Sequence, residues 1–226
     1  MKKTNVFFTI IMVFCICNFA IAQLKSNNCK KSVDFGNINI CMPDIDGMIE
    51  CYNKPIVKEF LDKQNPTENP IFAFYLKKSD FNNIKALESN AIEDYFVIYG
   101  LNKMKNVSID NTTLNSISNI IENGFIKENW ESIREKIKNN YFSFTYGRPV
   151  LIQSYSLNSK MKTFVLLSKI NNEDEEKIQV QVMNYIQIKK RLISLSYYLD
   201  YRDENSLKFA KAKNDYITLL LLEENN

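Results

Sequence analysis

An α+β fold, an antiparallel sheet flanked by helices, is predicted by three features of the chain. From Pro149 onward four consecutive stretches alternate apolar and polar residues with a period of two, which reads as a four-strand C-terminal meander. Two compact runs rich in aromatics, Ile71–Leu76 and Tyr95–Tyr99, read as buried strands. Between and after these lie stretches whose apolar residues recur at helical spacing and follow good capping residues.

The elements follow in order. Ile38 and Ile40 alternate with asparagines into Met42-Pro43, a short strand that ends at a turn over Asp44-Ile45-Asp46-Gly47. Met48, Ile49, Cys51 and Tyr52 form a returning extended segment. Asn53 caps a helix whose first turn holds Pro55, where a missing N–H costs nothing, and Asn65-Pro66 ends it. Lys77–Asn90 is polar and reads as a loop with partial structure. Asp110–Thr113 precede Leu114, Ile117, Ile120 and Ile121, a helix stopped at Gly124 in a left-handed conformation. A second helix is expected from about Ile126 to Asn139, with Trp130, Ile133 and Ile137 on one stripe.

The four meander strands are placed at Leu151–Leu157, Thr163–Ile170, Gln179–Ile188 and Leu192–Leu199. In the third, Val180, Val182, Ile186 and Ile188 share one face while Gln179, Gln181, Tyr185 and Gln187 share the other, so one side is core and the other wetter. Asn184 interrupts the apolar side and requires a partner. Lys189-Lys190-Arg191 fit a solvated hairpin tip, and Asp203 caps a closing helix that runs to about Leu222.

The N-terminus reads as an export signal. Met1-Lys2-Lys3 is basic, Val6–Cys17 is apolar, and Ala20-Ile21-Ala22 before Gln23 has the small-x-small form that signal peptidase accepts. An apolar stretch of about 12 residues is short of the roughly 20 that a spanning helix needs. The expected division is a signal peptide over 1–22, cut between Ala22 and Gln23, a loose leader over 23–33, and a single α+β domain over 34–226. Cleavage removes Lys2 and Lys3 and lowers the formal charge from +3 to +1, too little to steer the protein onto nucleic acid. No transmembrane segment is expected after the cut, and the destination is the periplasm or the exterior.

Cleavage also leaves Cys29, Cys41 and Cys51, an odd set in a compartment that permits disulfides. Cys41 and Cys51 flank the Asp44–Gly47 turn and form one possible bridge; Cys29 with either is the rival, and three reduced, buried thiols are a further alternative.

The chain has no histidine, which removes the commonest general base, the Ser-His and Cys-His pairs and imidazole metal ligation. Its cysteines make no CxxC pair, and its 5 glycines compose no phosphate-binding loop. No metal and no cofactor is expected. Asp44, Asp46 and Glu50 cluster about one turn and are the weak catalytic candidates, although aspartate at a turn ordinarily bonds its own backbone and no terminal glutamate completes a calcium loop. Tyr141–Tyr146 and Tyr197-Tyr198 are aromatic enough to line a binding face, with burial in the core as their plain reading.

The segment Met42–Tyr52 resembles the opening of a group of uncharacterised exported bacterial proteins. So does the end, where strands around Lys189-Lys190-Arg191 lead through Tyr197 to Asp203 and a closing helix, an arrangement similar to the PsbP and Mog1-like fold. The likeness implies a binding or assembly accessory rather than an enzyme, and no functional residue of that fold is matched here. The expectation is therefore an exported non-enzymatic module that binds an unspecified protein or small ligand. Its rivals are a carboxylate-dependent or metal-assisted hydrolase using Asp44, Asp46 and Glu50, and a secreted effector.

Overall fold

A computed structural model describes residues 29–64, 69–81, 92, 94–138, 148–171 and 176–226. The chain divides into two units, Met1–Lys30 and Lys31–Asn226, and the architecture is that of the second. The expected signal peptide, its cut at Ala22 and Gln23, and the aromatic run Tyr141–Tyr146 lie outside the described residues.

Among the described residues there are ten strands: β1 Ser32–Phe35, β2 Ile38–Cys41, β3 Met48–Glu50, β4 Ile71–Lys77, β5 Asp94–Gly100, β6 Ile126–Lys127, β7 Val150–Tyr155, β8 Met161–Asn171, β9 Glu176–Ile188 and β10 Arg191–Asp200. Five helices accompany them: α1 Pro55–Gln64, α2 Lys78–Phe81, α3 Asn111–Gly124, α4 Trp130–Lys138 and α5 Glu204–Glu224. Strands β1 and β2 pair as a hairpin, and the other eight form one sheet in the order β3-β4-β5-β10-β9-β8-β7-β6.

The four meander strands lie side by side and antiparallel, but they are half of a larger sheet. It is also mixed, because β6 runs parallel to β7, pairing Ile126 with Val150 and Lys127 with Leu151. Ile126 therefore enters a strand, and the following helix begins at Trp130, where Asn129 accepts the Ser132 amide at 2.8 Å. Two further expectations are corrected. The leader ends earlier than residue 33, since β1 starts at Ser32. Gly124 closes α3 without a left-handed residue, the chain leaving through an extended Phe125.

The apolar side of β9 has the composition its period demands. Val180, Val182, Ile186 and Ile188 are buried with Phe72, Tyr75, Phe96, Ile98, Val165, Ile193, Leu195 and Tyr197 of the neighbouring strands. Helix α5 covers this side with Ala210, Ile217, Leu221 and Leu222, α4 adds Ile133, and the hairpin adds Phe35 and Ile40. Full burial of each large apolar side chain is worth about 1.5–3 kcal/mol, so this layer holds most of the driving force. On the opposite side α1 packs Val57 and Leu61 against Phe74 and Leu76, while Leu114 of α3 packs with Phe164, Leu166, Met183 and Leu192.

Asn184 finds its partner across the layer. Its Nδ2 donates to Asn214 Oδ1 at 2.6 Å and to the Leu195 carbonyl at 3.3 Å, while its Oδ1 accepts from Thr163 Oγ1 at 2.8 Å and from Asn214 Nδ2 at 3.2 Å. All three side chains are fully buried. Nearby, the buried Asp94 carboxylate accepts from Lys77 Nζ at 2.9 Å and from Lys213 Nζ at 3.2 Å. Lys213 Nζ also lies 5.7, 5.5 and 5.6 Å from the ring centres of Phe96, Tyr197 and Phe209. At the end of α5, Asn225 gives and takes one 2.8 Å hydrogen bond with the Cys41 backbone, so the helix closes onto the hairpin.

The hairpin touches the sheet at two left-handed turns. Gly36 and Asn37 have φ of 60° and 63°, and Lys189 and Lys190 have 46° and 63°, the pattern of type I′ hairpins. Arg191 Nε donates to the Gly36 carbonyl at 2.8 Å, and Lys189 Nζ to the Asn39 carbonyl at 2.8 Å. Lys189 and Arg191 thus join the two hairpins, beyond the solvation expected of a hairpin tip. A Cβ on Gly36 would stand 2.0 Å from the Lys105 carbonyl oxygen and 2.5 Å from Arg191 Nε. Gly36→Ala should therefore cost roughly 2 kcal/mol or more through strain and lost docking, read as a lowered midpoint in urea unfolding. An unchanged midpoint would contradict the close approach.

Candidate functional site

Asp44 and Asp46 of the Asp44–Gly47 turn and Glu50 beyond it sit in different surroundings. Asp44 and Asp46 are exposed, and Ile45 and Met48 close the turn through a 3.1 Å backbone hydrogen bond with Gly47 at φ 75°. Glu50 is half-buried and engaged: its Oε1 accepts from the Tyr52 amide at 3.0 Å and the Phe74 amide at 3.3 Å, and Lys31 pairs with its other oxygen. It ties the end of β3 to β4. Among the described residues no group of three or more Cys, Asp or Glu is placed to hold a metal ion.

The turn also fails to make a hairpin, because β2 pairs with β1 and β3 with β4. Cys41 and Cys51 are therefore not bridged. Cys29 and Cys41 are both disulfide-bonded, while Cys51 is a free, buried thiol whose Sγ donates to the Phe74 carbonyl at 3.4 Å. Burial pushes that thiol up to about 12, with the Glu50 charge adding to the rise. A thiol held so far from its thiolate is a poor nucleophile.

A different place gathers functional chemistry. On the wetter side of the sheet α1 covers β4 and β5, α3 covers β8 and β9, and β10 lies between them in the strand order. There Tyr198 pairs across strands with Tyr95 and with Gln181. The Tyr95 and Tyr198 rings stack at 4.7 Å and 14°, and Gln181 Nε2 donates to the Tyr198 hydroxyl at 3.0 Å. Tyr99, opposite Ser194, and Tyr185, also opposite Ser194 on the other strand, extend the patch. Tyr95, Tyr99 and Tyr198 keep part of their surface open, whereas Ser194 and Ser196 are buried with hydroxyls that make no hydrogen bond among the described residues.

The phenols are firmly neutral. Burial raises Tyr95 to about 12, with Gln179 pulling down and Asp200 pushing up. Burial likewise raises Tyr198, helped by its neighbours Tyr95 and Tyr99, and raises Tyr185. Tyr99 is raised by burial too, although the nearby Ser196 and Ser194 hydroxyls pull the other way without completing a hydrogen bond. The patch therefore offers stacking faces, phenol donors and glutamine amides with no net charge of its own.

Comparison with known proteins adds little to this geometry. No protein-family model and no curated protein matches the chain. Among solved structures it is similar to the Ran-binding protein Mog1p of Saccharomyces cerevisiae, at 12% identity and a TM-score of 0.35, over 86% of this chain and 91% of that one. A likeness of that grade carries no conclusion about ligand, partner or chemistry. The α+β class rests on the sheet and helices described above.

Of the aromatics marked in the sequence, Tyr197 and Tyr198 point to opposite sides. Tyr197 stacks on Phe96 at 4.2 Å in the core, and Tyr198 enters the tyrosine patch. Tyr95 and Tyr99 were legible as alternate residues of one strand, but the alternation says only that they share a side. That they meet Tyr185 and Tyr198 depends on β5 and β9 both flanking β10.

The raised phenols have a pH consequence. In the unfolded chain they ionise near 10, while in the fold the charged form is disfavoured. Folding stability is undiminished by these groups below about pH 10 and falls as pH rises past it, because only the unfolded chain gains by losing the protons. Urea midpoints measured from pH 8 to about 11.5 should be level and then drop steeply above pH 10. A native-state rise at the phenolate band that shrank in a Tyr95→Phe, Tyr198→Phe double variant, at pH values where the midpoint still held level, would contradict the burial.

Proposed function

We propose that the protein is an exported, non-enzymatic binding module that takes its ligand or partner on the tyrosine patch of β5, β10 and β9. The observation that carries the reading is the stacked Tyr95–Tyr198 pair, held by Gln181 over buried serines and left partly open between the cover of α1 and that of α3. Neutral phenols and amides suit an uncharged planar or aromatic group, which stacks on a ring and exchanges hydrogen bonds at its edge. These mostly buried, partly open rings are also the part of this sheet face that the core does not fully consume.

Export is supported by the basic start, the short apolar run and the Ala20-Ile21-Ala22 boundary, and the disulfide-bonded Cys29 and Cys41 fit an oxidising compartment. Among the described residues no helix is long and apolar enough to cross a membrane. The protein then acts in the periplasm or outside the cell, as an accessory to a protein or small ligand.

Crosslinking and pull-down of the natural protein from its own cell envelope tests both parts. The captured material should begin at Gln23, and its yield should fall about tenfold in a Tyr198→Ala variant, the loss of roughly 1.4 kcal/mol expected for one stacking contact. Tyr198→Phe should retain most of the stacking. Equal capture by Tyr198→Ala and the unaltered chain would remove the patch from the account, and an N-terminus still at Met1 in membrane material would remove export.

A further inference from the structure

The outward side of α5 carries an apolar stripe that the core does not use. Ala210, Asn214, Ile217, Thr218, Leu221 and Leu222 face inward and are buried. Phe209, Ala212, Tyr216 and Leu219 lie on the outer side at successive spacings of three, four and three residues, the seam spacing of paired helices. Phe209 is 50%, Tyr216 54% and Leu219 46% exposed, which makes α5 the richest site of exposed large apolar side chains among the described residues. At the helix end Leu219 forms a wall of a groove of about 390 Å³, completed by Leu222 and Glu223 and by Asn158 and Lys160 of the β7–β8 loop.

We infer that this side binds a second copy of the same chain, with the two α5 helices antiparallel and Phe209 of each seated in the other's groove. The stripe is complementary to itself in only one direction. Run antiparallel with Phe209 level with the second copy's Leu219, it sets Ala212 against Tyr216, small against large, and repeats the same layers on the other side of a two-fold axis. Lys208 precedes Phe209 and is exposed, so it arrives at the rim that bears Glu223, with Glu224 one residue beyond. A parallel arrangement would instead oppose Phe209 to Phe209, Lys208 to Lys208 and the glutamates to each other, which like charge disfavours. The charge pattern thus selects a copy of this chain over an unrelated apolar helix. The surface is separate from the tyrosine patch, which lies on the other side of the sheet, so the two readings stand or fall independently.

The contact is small, so association should depend on concentration. Sedimentation velocity of the purified protein from roughly 10 to 500 μM should show a reversible dimer. Lys208→Glu and Glu223→Lys should each weaken it about tenfold or more, because the two-fold axis places each like-charge pair twice. An equimolar mixture of these two variants should dimerise again, since each then meets the opposite charge at both rims. Leu219→Gln should leave a monomer whose thermal midpoint is unchanged. A monomer at every concentration would overturn the inference. So would a dimer indifferent to both charge reversals, or single variants that are not rescued by mixing.

Discussion

The closing helix has to be held at one rotation and one height against the sheet, and polar groups inside an otherwise apolar layer do this. Hydrophobic burial alone is non-directional, and a stripe of Ala210, Ile217 and Leu221 would tolerate small slips along β9 and β10. Asn184 does not. Its amide is fully buried, and moving Asn214 away by one turn would break both amide–amide hydrogen bonds and leave one N–H of Asn184 without its acceptor in a dry layer, with only Thr163 and the Leu195 carbonyl still in place, a cost of about 1–3 kcal/mol for the stranded group. Lys213 on Asp94, one residue before Asn214, and Asn225 on the Cys41 backbone, at the helix end, repeat the same logic. The three contacts reach β9, β5 and β2, so α5 fixes the sheet and the hairpin relative to each other.

That fixation determines what remains outside. Once α5, α4 and the β1–β2 hairpin fill the apolar side, Tyr95, Tyr99, Tyr185 and Tyr198 are consigned to the opposite side, where α1 and α3 cover the flanking strands. Tyr95 and Tyr198 stack there because antiparallel pairing puts them directly opposite. The same rotation of α5 turns Phe209, Tyr216 and Leu219 outward. The sheet face and the helix stripe are thus two consequences of a single packing choice.

Much of this was legible residue by residue. Asp110 and Asp203 cap their helices as their positions suggest, each accepting the amide three residues on, and burial of Val180, Val182, Ile186 and Ile188 follows their period. What was not legible depends on long-range pairing. Ile126 has too short a strand to show a period, and its parallel pairing with Val150 is visible only when the sheet is assembled. The Gly36–Asn37 turn follows from two residues that tolerate positive φ, yet its contact with Arg191 spans 155 residues. Cys41 and Cys51 are close in sequence, but β2, which holds Cys41, pairs with β1, and β3, which Cys51 follows, pairs with β4. The need of Asn184 for a partner was plain from its place on an apolar face; the identity of Asn214 required the helix to be docked.

The most direct test is a double-mutant cycle on Asn184 and Asn214, measured as unfolding free energies in urea. Asn184→Leu and Asn214→Leu should each cost about 2–3 kcal/mol, since each removes both hydrogen bonds between the two buried amides, and the double substitution should cost less than the sum by at least about 1 kcal/mol. Additive losses in the cycle, or single substitutions that leave stability unchanged, would contradict the claim that this buried pair sets the position of α5.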